Sequence, residues 1–240
     1  MNSVRGFSLI ELAMVLFIVS LLLGGLLMPL ATQLDARKRG EAQEQLERIR
    51  EALIGFTILN GRLPCHTTES DPANINYGLE DAVTCNPSEN TPGWVGDGIL
   101  PWKTLGLDNG LDPWGSQRTT SGDPWTGYWR YRVHDNFSTT PVSLLTDPSS
   151  SNKLCVVDAN GNLIISTSEN PVAIVYSTGV NQVPDGQNAS YEATSMSTDC
   201  INNTPIIYQG STPSSNFDDI TIWLTRPLLF NRMVSAGVLP

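Results

Sequence analysis

FSLIELAMVLFIVSLLLGGLLMPLATQLDARKRGEAQEQLERIREALIGFTILN, residues 7–60, changes character once, near residue 34, and that change decides the fold. From Leu12 to Ala31 no side chain carries a charge, and the run matches the ~20 residues a helix needs to cross a bilayer. After Asp35 the pattern turns amphipathic. Ala42, Leu46, Ile49, Leu53 and Phe56 recur at three and four residues, while Glu41, Glu44, Glu47, Arg48, Arg50 and Glu51 face elsewhere. Such a stripe packs on a globular domain. Asn60-Gly61, with Pro64 beyond, supplies the stop signal, so Phe7–Leu59 reads as a rod of roughly 80 Å at about 1.5 Å per residue. Gly24, Gly25 and Pro29 interrupt the pattern and predict a kink or loosened turn, although glycines also let helices approach closely in lipid.

Ahead of the apolar run the only positive groups are Arg5 and the amino terminus, which places the N-terminus in the cytoplasm and everything after about Gln33 outside it. A cleavable secretory signal would have an apolar region of about 7–15 residues, shorter than this one. Glu11 also sits near the start of the run, where a lone carboxylate would cost an isolated helix about 2.5–3.5 kcal/mol at the membrane centre and less near the interface. Asp35-Ala36-Arg37-Lys38-Arg39, just past the run, reads as a solvated helix face or as a contact to acidic headgroups, and the two can hold together.

Arg5-Gly6-Phe7-Ser8-Leu9-Ile10-Glu11-Leu12 resembles the processing motif of type IV prepilins and of the pseudopilins of type II secretion. The resemblance implies that a prepilin peptidase cuts after Gly6 and methylates the new amine of Phe7. The chain then divides into a leader, 1–6; a hydrophobic transmembrane and assembly helix, 7–34; its amphipathic continuation, 35–60; and a periplasmic or extracellular β-rich domain, 61–240. In this family the carboxylate corresponding to Glu11 is thought to neutralise the Phe7 amine of a neighbouring subunit, two charges costly in an apolar filament core unless paired. The alternative is an interfacial carboxylate tolerated near headgroups. The implied fold is α+β and pilin-like, a long N-terminal helix packed on an antiparallel sheet with long loops. The implied function is structural: a single-pass inner-membrane subunit drawn into a type IV pilus or type II secretion pseudopilus. Its partners are the prepilin peptidase, other subunits in a homo- or hetero-polymer, the inner-membrane assembly platform and the membrane itself.

The whole chain has Gly 20, Pro 16 and only 16% charged residues, and beyond Gly61 the sequence supports short strands and turns. Strands are expected at Tyr128–His134, Lys153–Val157, Leu163–Ser166, Val172–Ser177, Pro205–Tyr208 and Ile220–Leu224, paired as antiparallel hairpins. Lys153–Ser166 reads most clearly as one, with Asn160-Gly161 at its turn. Gly61-Arg62-Leu63-Pro64, Asp112-Pro113-Trp114-Gly115 ahead of Tyr128-Trp129-Arg130-Tyr131, and Phe217-Asp218-Asp219-Ile220 ahead of Trp223 are similar, in order, to the globular part of pseudopilins. The chain is larger than the usual major pseudopilin, which fits a minor or specialised subunit. Tip-type pseudopilins lack the glutamate corresponding to Glu11.

A formal charge of −10 without a sizeable basic cluster gives no footprint for nucleic acid. Cys65, Cys85, Cys155 and Cys200 lack zinc-site spacing and point to disulfides in an oxidising compartment; of three pairings, Cys65–Cys85 with Cys155–Cys200 closes local loops. Major pseudopilins hold calcium in a C-terminal loop, and Asp185, Asp218 and Asp219 are donors of the right type. The spacing matches no EF-hand, so no metal or other cofactor is assigned and Asp218-Asp219 reads as a turn or strand-entry cap. His66 and His134, the two histidines, stand in no catalytic motif and read as ordinary surface or strand residues, so no enzyme activity is expected. Trp94, Trp102, Trp114, Trp125 and Trp129 read as core filling, with Trp125 and Trp129 the candidates for a ligand or partner platform. The rival reading is a membrane-anchored periplasmic binding or adhesive module, or a hydrolase, on a pilin-type anchor.

Overall fold

The computed structural model describes residues 8–81, 98–115, 125–148, 153–165, 171–186, 188, 206–210, 212–214 and 216–239, with backbone alone at 23–31 and 206–208. The chain forms two compact units, Met1–Gly40 and Glu41–Pro240. Helix α1, Leu9–Asn60, contributes to both and continues through Gly24, Gly25 and Pro29 without interruption. It stops where the sequence says it should. Gly61 adopts φ +72° and its N–H donates to Thr57 O at 2.8 Å, the left-handed residue that closes a helix at low steric cost.

In the larger unit the last five turns of α1 lay Ala42, Leu46, Ile49 and Leu53 into the core, and the acidic and basic residues between them stay outside. Full burial of each large aliphatic side chain stabilises by roughly 1.5–3 kcal/mol. The stripe meets a four-stranded antiparallel sheet of order β1-β2-β4-β6, built from Gly98–Ile99, Arg130–Val133, Pro171–Ser177 and Ile220–Thr225. Residues Trp129, Tyr131 and Val133 beside and along β2 join the α1 core, as do Ala173 and Val175 on β4. On the other face Ile174 and Tyr176 join Leu154, Val156 and Ile165 in a smaller cluster. β4 is therefore covered on both faces, which is why all seven of its residues are buried and its sequence is a continuous apolar run.

The second sheet pairs β3, Leu154–Val157, with β5, Ile206–Gln209, in parallel. The hairpin expected over Lys153–Ser166 is present in part, with Ser166 outside the described residues, and the main partner of β3 is a parallel strand rather than the return arm. Asp158 does anchor a tight turn, its carboxylate accepting from Asn160 N and Asn162 N at 2.8 Å each, and Gly161 has φ +83°. The return arm makes the antiparallel bridge Val157↔Leu163, with Asp158 N donating to Asn162 O at 2.8 Å and Ile164 N to Val156 O at 2.9 Å, while the ladder of β3 runs with β5. Among the named elements of the described residues, a helix follows β2 and another follows β6. α2, Asp135–Ser138, is one turn capped by His134, whose Nδ1 accepts from Asn136 N at 3.2 Å. α3, Arg226–Ser235, buries Leu229 and Met233, and Arg232 reaches back to Glu51 on α1 at 3.0 Å. Both histidines are buried rather than at the surface.

Candidate functional sites

The first turn of α1 is a capping box. Ser8 Oγ accepts from Ile10 N–H and Glu11 Oε2 accepts from Ser8 N–H, each at 3.3 Å. The Ser-x-x-Glu pattern satisfies donors that a helix start leaves open, and it holds the Glu11 carboxylate at the positive end of the helix dipole. Gly6 and Phe7, the expected cleavage and methylation residues, lie outside the described residues. The apolar side chains from Leu9 to Leu22 are all exposed, Phe17 at 66%. Among the described residues no helix is long and apolar enough to cross a membrane, and the side chains of the expected span Leu12–Ala31 are described only as far as Leu22.

The second candidate lies at the entry to β6. Asp185, Asp218 and Asp219 each present a carboxylate oxygen, all within 4.8 Å of one another. Residues 33 positions apart meet because the loop after β4 folds back over the start of β6. Asp218 Oδ2 accepts from Asn181 N at 2.9 Å, Asp185 Oδ2 from Asp218 N at 2.9 Å, and Asp219 Oδ2 from Asp185 N at 3.0 Å and Asn188 Nδ2 at 2.7 Å. Gly179, φ +65°, is required there: a Cβ would stand 2.5 Å from Asp218 O.

Those hydrogen bonds use one oxygen of each aspartate on β6's entry. Asp218 Oδ1 and Asp219 Oδ1 are buried with no hydrogen-bond partner among the described residues. Burial pushes the Asp219 carboxyl up to about 7 against its hydrogen bonds, with the charges of Asp185 and Asp218 adding to the rise. Burial likewise raises Asp218. Oxygen-only donors converging with unpartnered buried lone pairs fit a hard divalent cation such as calcium. The reading of Asp218-Asp219 as a strand-entry cap is thus incomplete: the pair enters β6 and also meets Asp185. Asp185 was identifiable as a donor; its proximity was not.

The remaining singled-out residues do not gather into one site. Trp129 is 1% exposed in the α1 core. Trp125 is half-buried, with the Arg130 guanidinium 4.7 Å from its ring centroid. Trp102 is closed on two sides by Gly78 and Gly110, where an added Cβ would come within 2.4 and 2.3 Å of its indole. His66, packed against Gly98, is held neutral down to about 3 by burial and by Arg132 and Arg130. Cys65 and Cys155 are buried and disulfide-bonded, while Cys85, Cys200 and Trp94 lie outside the described residues, so the pairing does too. Sequence reading missed Glu80, whose carboxylate takes two 2.9 Å bonds from Arg62 and one from Cys65 N at 3.1 Å, fastening the end of α1 to the following loop. Nothing local to Glu80 signals that role.

Comparison with known proteins bears on the first of these sites. Residues 1–27 match the family model described as the prokaryotic N-terminal methylation motif, the signature of type IV pilins and pseudopilins. No curated protein and no solved structure matches the chain.

Proposed function

We propose that the chain is a structural subunit of a type IV pilus or a type II secretion pseudopilus, polymerising through α1 after a prepilin peptidase has cut between Gly6 and Phe7. The observation that carries the reading is the methylation motif at residues 1–27, running into an apolar helix whose described side chains from Leu9 to Leu22 are exposed and whose continuation is built into a folded domain. An exposed apolar helix of this length needs lipid or other helices around it, and both are supplied in turn when a subunit passes from membrane to filament. Glu11 would exchange its capping contact with Ser8 N–H for the Phe7 amine of a neighbour. Asp185, Asp218 and Asp219 would hold a divalent cation, whose charge removes the repulsion between three carboxylates and ties the loop after β4 to β6. The test of the main reading is the mass of the membrane-extracted chain, expressed with and without a prepilin peptidase. A mature chain beginning at N-methylated Phe7 supports it; an intact Met1 start in the presence of the peptidase, or cleavage beyond Ala31, overturns it.

A further inference from the structure

Arg37 and Lys38 are exposed and have no ion-pair or hydrogen-bond partner among the described residues, whereas Arg39 two positions on is engaged by Asp35 at 2.9 Å. They sit on the same unit as the apolar stretch of α1, six and seven residues past Ala31. At about 1.5 Å per residue that is roughly 9–10 Å beyond the uncharged run, a few ångströms past a headgroup layer of roughly 5–8 Å and within reach of it for side chains as long as these. Basic residues on the exported flank oppose the charge bias that orients such a helix, so they are misplaced there unless anions meet them. Their flexible stems let both charges reach toward the headgroups from adjacent positions on the helix.

We propose that Arg37 and Lys38 bind acidic phospholipid headgroups on the exported leaflet and set how deeply the anchored subunit sits before it is withdrawn into the filament. The inference rests on the anchor reading above and adds a partner, anionic lipid, with a consequence for assembly. Each cation near an anionic surface strengthens attachment about 5-fold, so the pair resists withdrawal by roughly 30-fold, and the effect fades in high salt as screening shortens to about 3 Å at 1 M. Removing the pair should ease extraction.

The test uses the full chain, carrying a polarity-sensitive dye on Ala36→Cys, an exposed position beside the pair, reconstituted into vesicles of phosphatidylcholine alone or mixed with phosphatidylglycerol. Flotation with both vesicle types reports the anchor; quenching of the dye by a headgroup-linked nitroxide reports the pair. The expected result is flotation throughout, stronger quenching with phosphatidylglycerol that is lost at high salt, and no lipid dependence in R37Q/K38Q. Equal quenching in both vesicle types, or a phosphatidylglycerol effect that survives in R37Q/K38Q, overturns the proposal while leaving the anchor intact. Failure to float with phosphatidylcholine alone overturns the anchor reading, and the depth-setting role with it.

Discussion

Asp219→Asn should remove a pH response from the folded domain and a response to calcium with it. In the cation-free protein burial raises the Asp219 carboxyl from 3.8 to about 7, so the folded state keeps a proton that the unfolded chain releases between those values. The stability this group contributes is therefore complete below the unfolded pKa and is lost as pH rises through the folded pKa. About three units at about 1.4 kcal/mol each set a ceiling of roughly 4 kcal/mol, and roughly 2–4 kcal/mol is the expected loss between about pH 4 and pH 7.5. His66 acts with the opposite sign. Its imidazole is held at about 3 against 6.5 unfolded, so its contribution is present above 6.5 and lost on acidification. The two windows overlap and flatten the wild-type curve, but the wild-type minus Asp219→Asn difference cancels the histidine. That difference is read by thermal unfolding of the full chain in detergent with a chelator. Excess calcium should reverse it, because the cation binds the ionised carboxylates: at a hundred times Kd it stabilises by about 2.7 kcal/mol, and it should act on the wild type above neutral pH and not on Asp219→Asn. A flat difference in chelator together with an undiminished calcium response in Asp219→Asn would refute both the burial argument and the cation site.

Glu11→Ala should leave cleavage at Gly6 intact by mass and reduce incorporation into sedimentable filaments; unchanged incorporation would leave the carboxylate with its capping role alone. Leu53→Ala empties a position 1% exposed at the centre of the α1 stripe and should lower stability by about 2–5 kcal/mol in denaturant unfolding. Glu80→Gln leaves Arg62 with a weakened partner and Cys65 N–H with a poorer acceptor, and should cost about 1–3 kcal/mol in the same assay. Gly179→Ala, which puts a Cβ against Asp218 O at a positive φ, should lower the stability of the chelated protein by more than about 1 kcal/mol in thermal unfolding and weaken calcium binding with it.

Local signals read correctly where the structure is local. The end of α1 at Asn60, the core stripe Ala42-Leu46-Ile49-Leu53, though not its expected fifth member Phe56, which is half-buried, and strands near 130, 154, 172, 206 and 220 follow from periodicity, β-branched runs and turn residues. The partner of each strand did not follow. A hairpin turn after β3 was visible, yet β3 pairs with β5 some fifty residues on, because β4 covers one face of that cluster and leaves the edge of β3 to a distant strand. Helix α3 was hidden in a turn-rich tail although Pro227 at its first turn and Gly237 just past its end punctuate it correctly. The aspartate cluster shows the same limit: residue types are legible along a chain, convergence in space is not.

The pairing of β4 with β2 and β6 sets an order of events. Its neighbours come from about forty residues before it and about fifty after it, and the seven-residue strand at the middle of the sheet has both edges hydrogen-bonded only when both are present. Thr225 therefore has to emerge from the ribosome before the sheet can close, and until then one edge of Pro171–Ser177 is unpaired. A chain wired this way folds late and slowly for its size and makes its greatest demand on chaperones in the interval between β4 and β6.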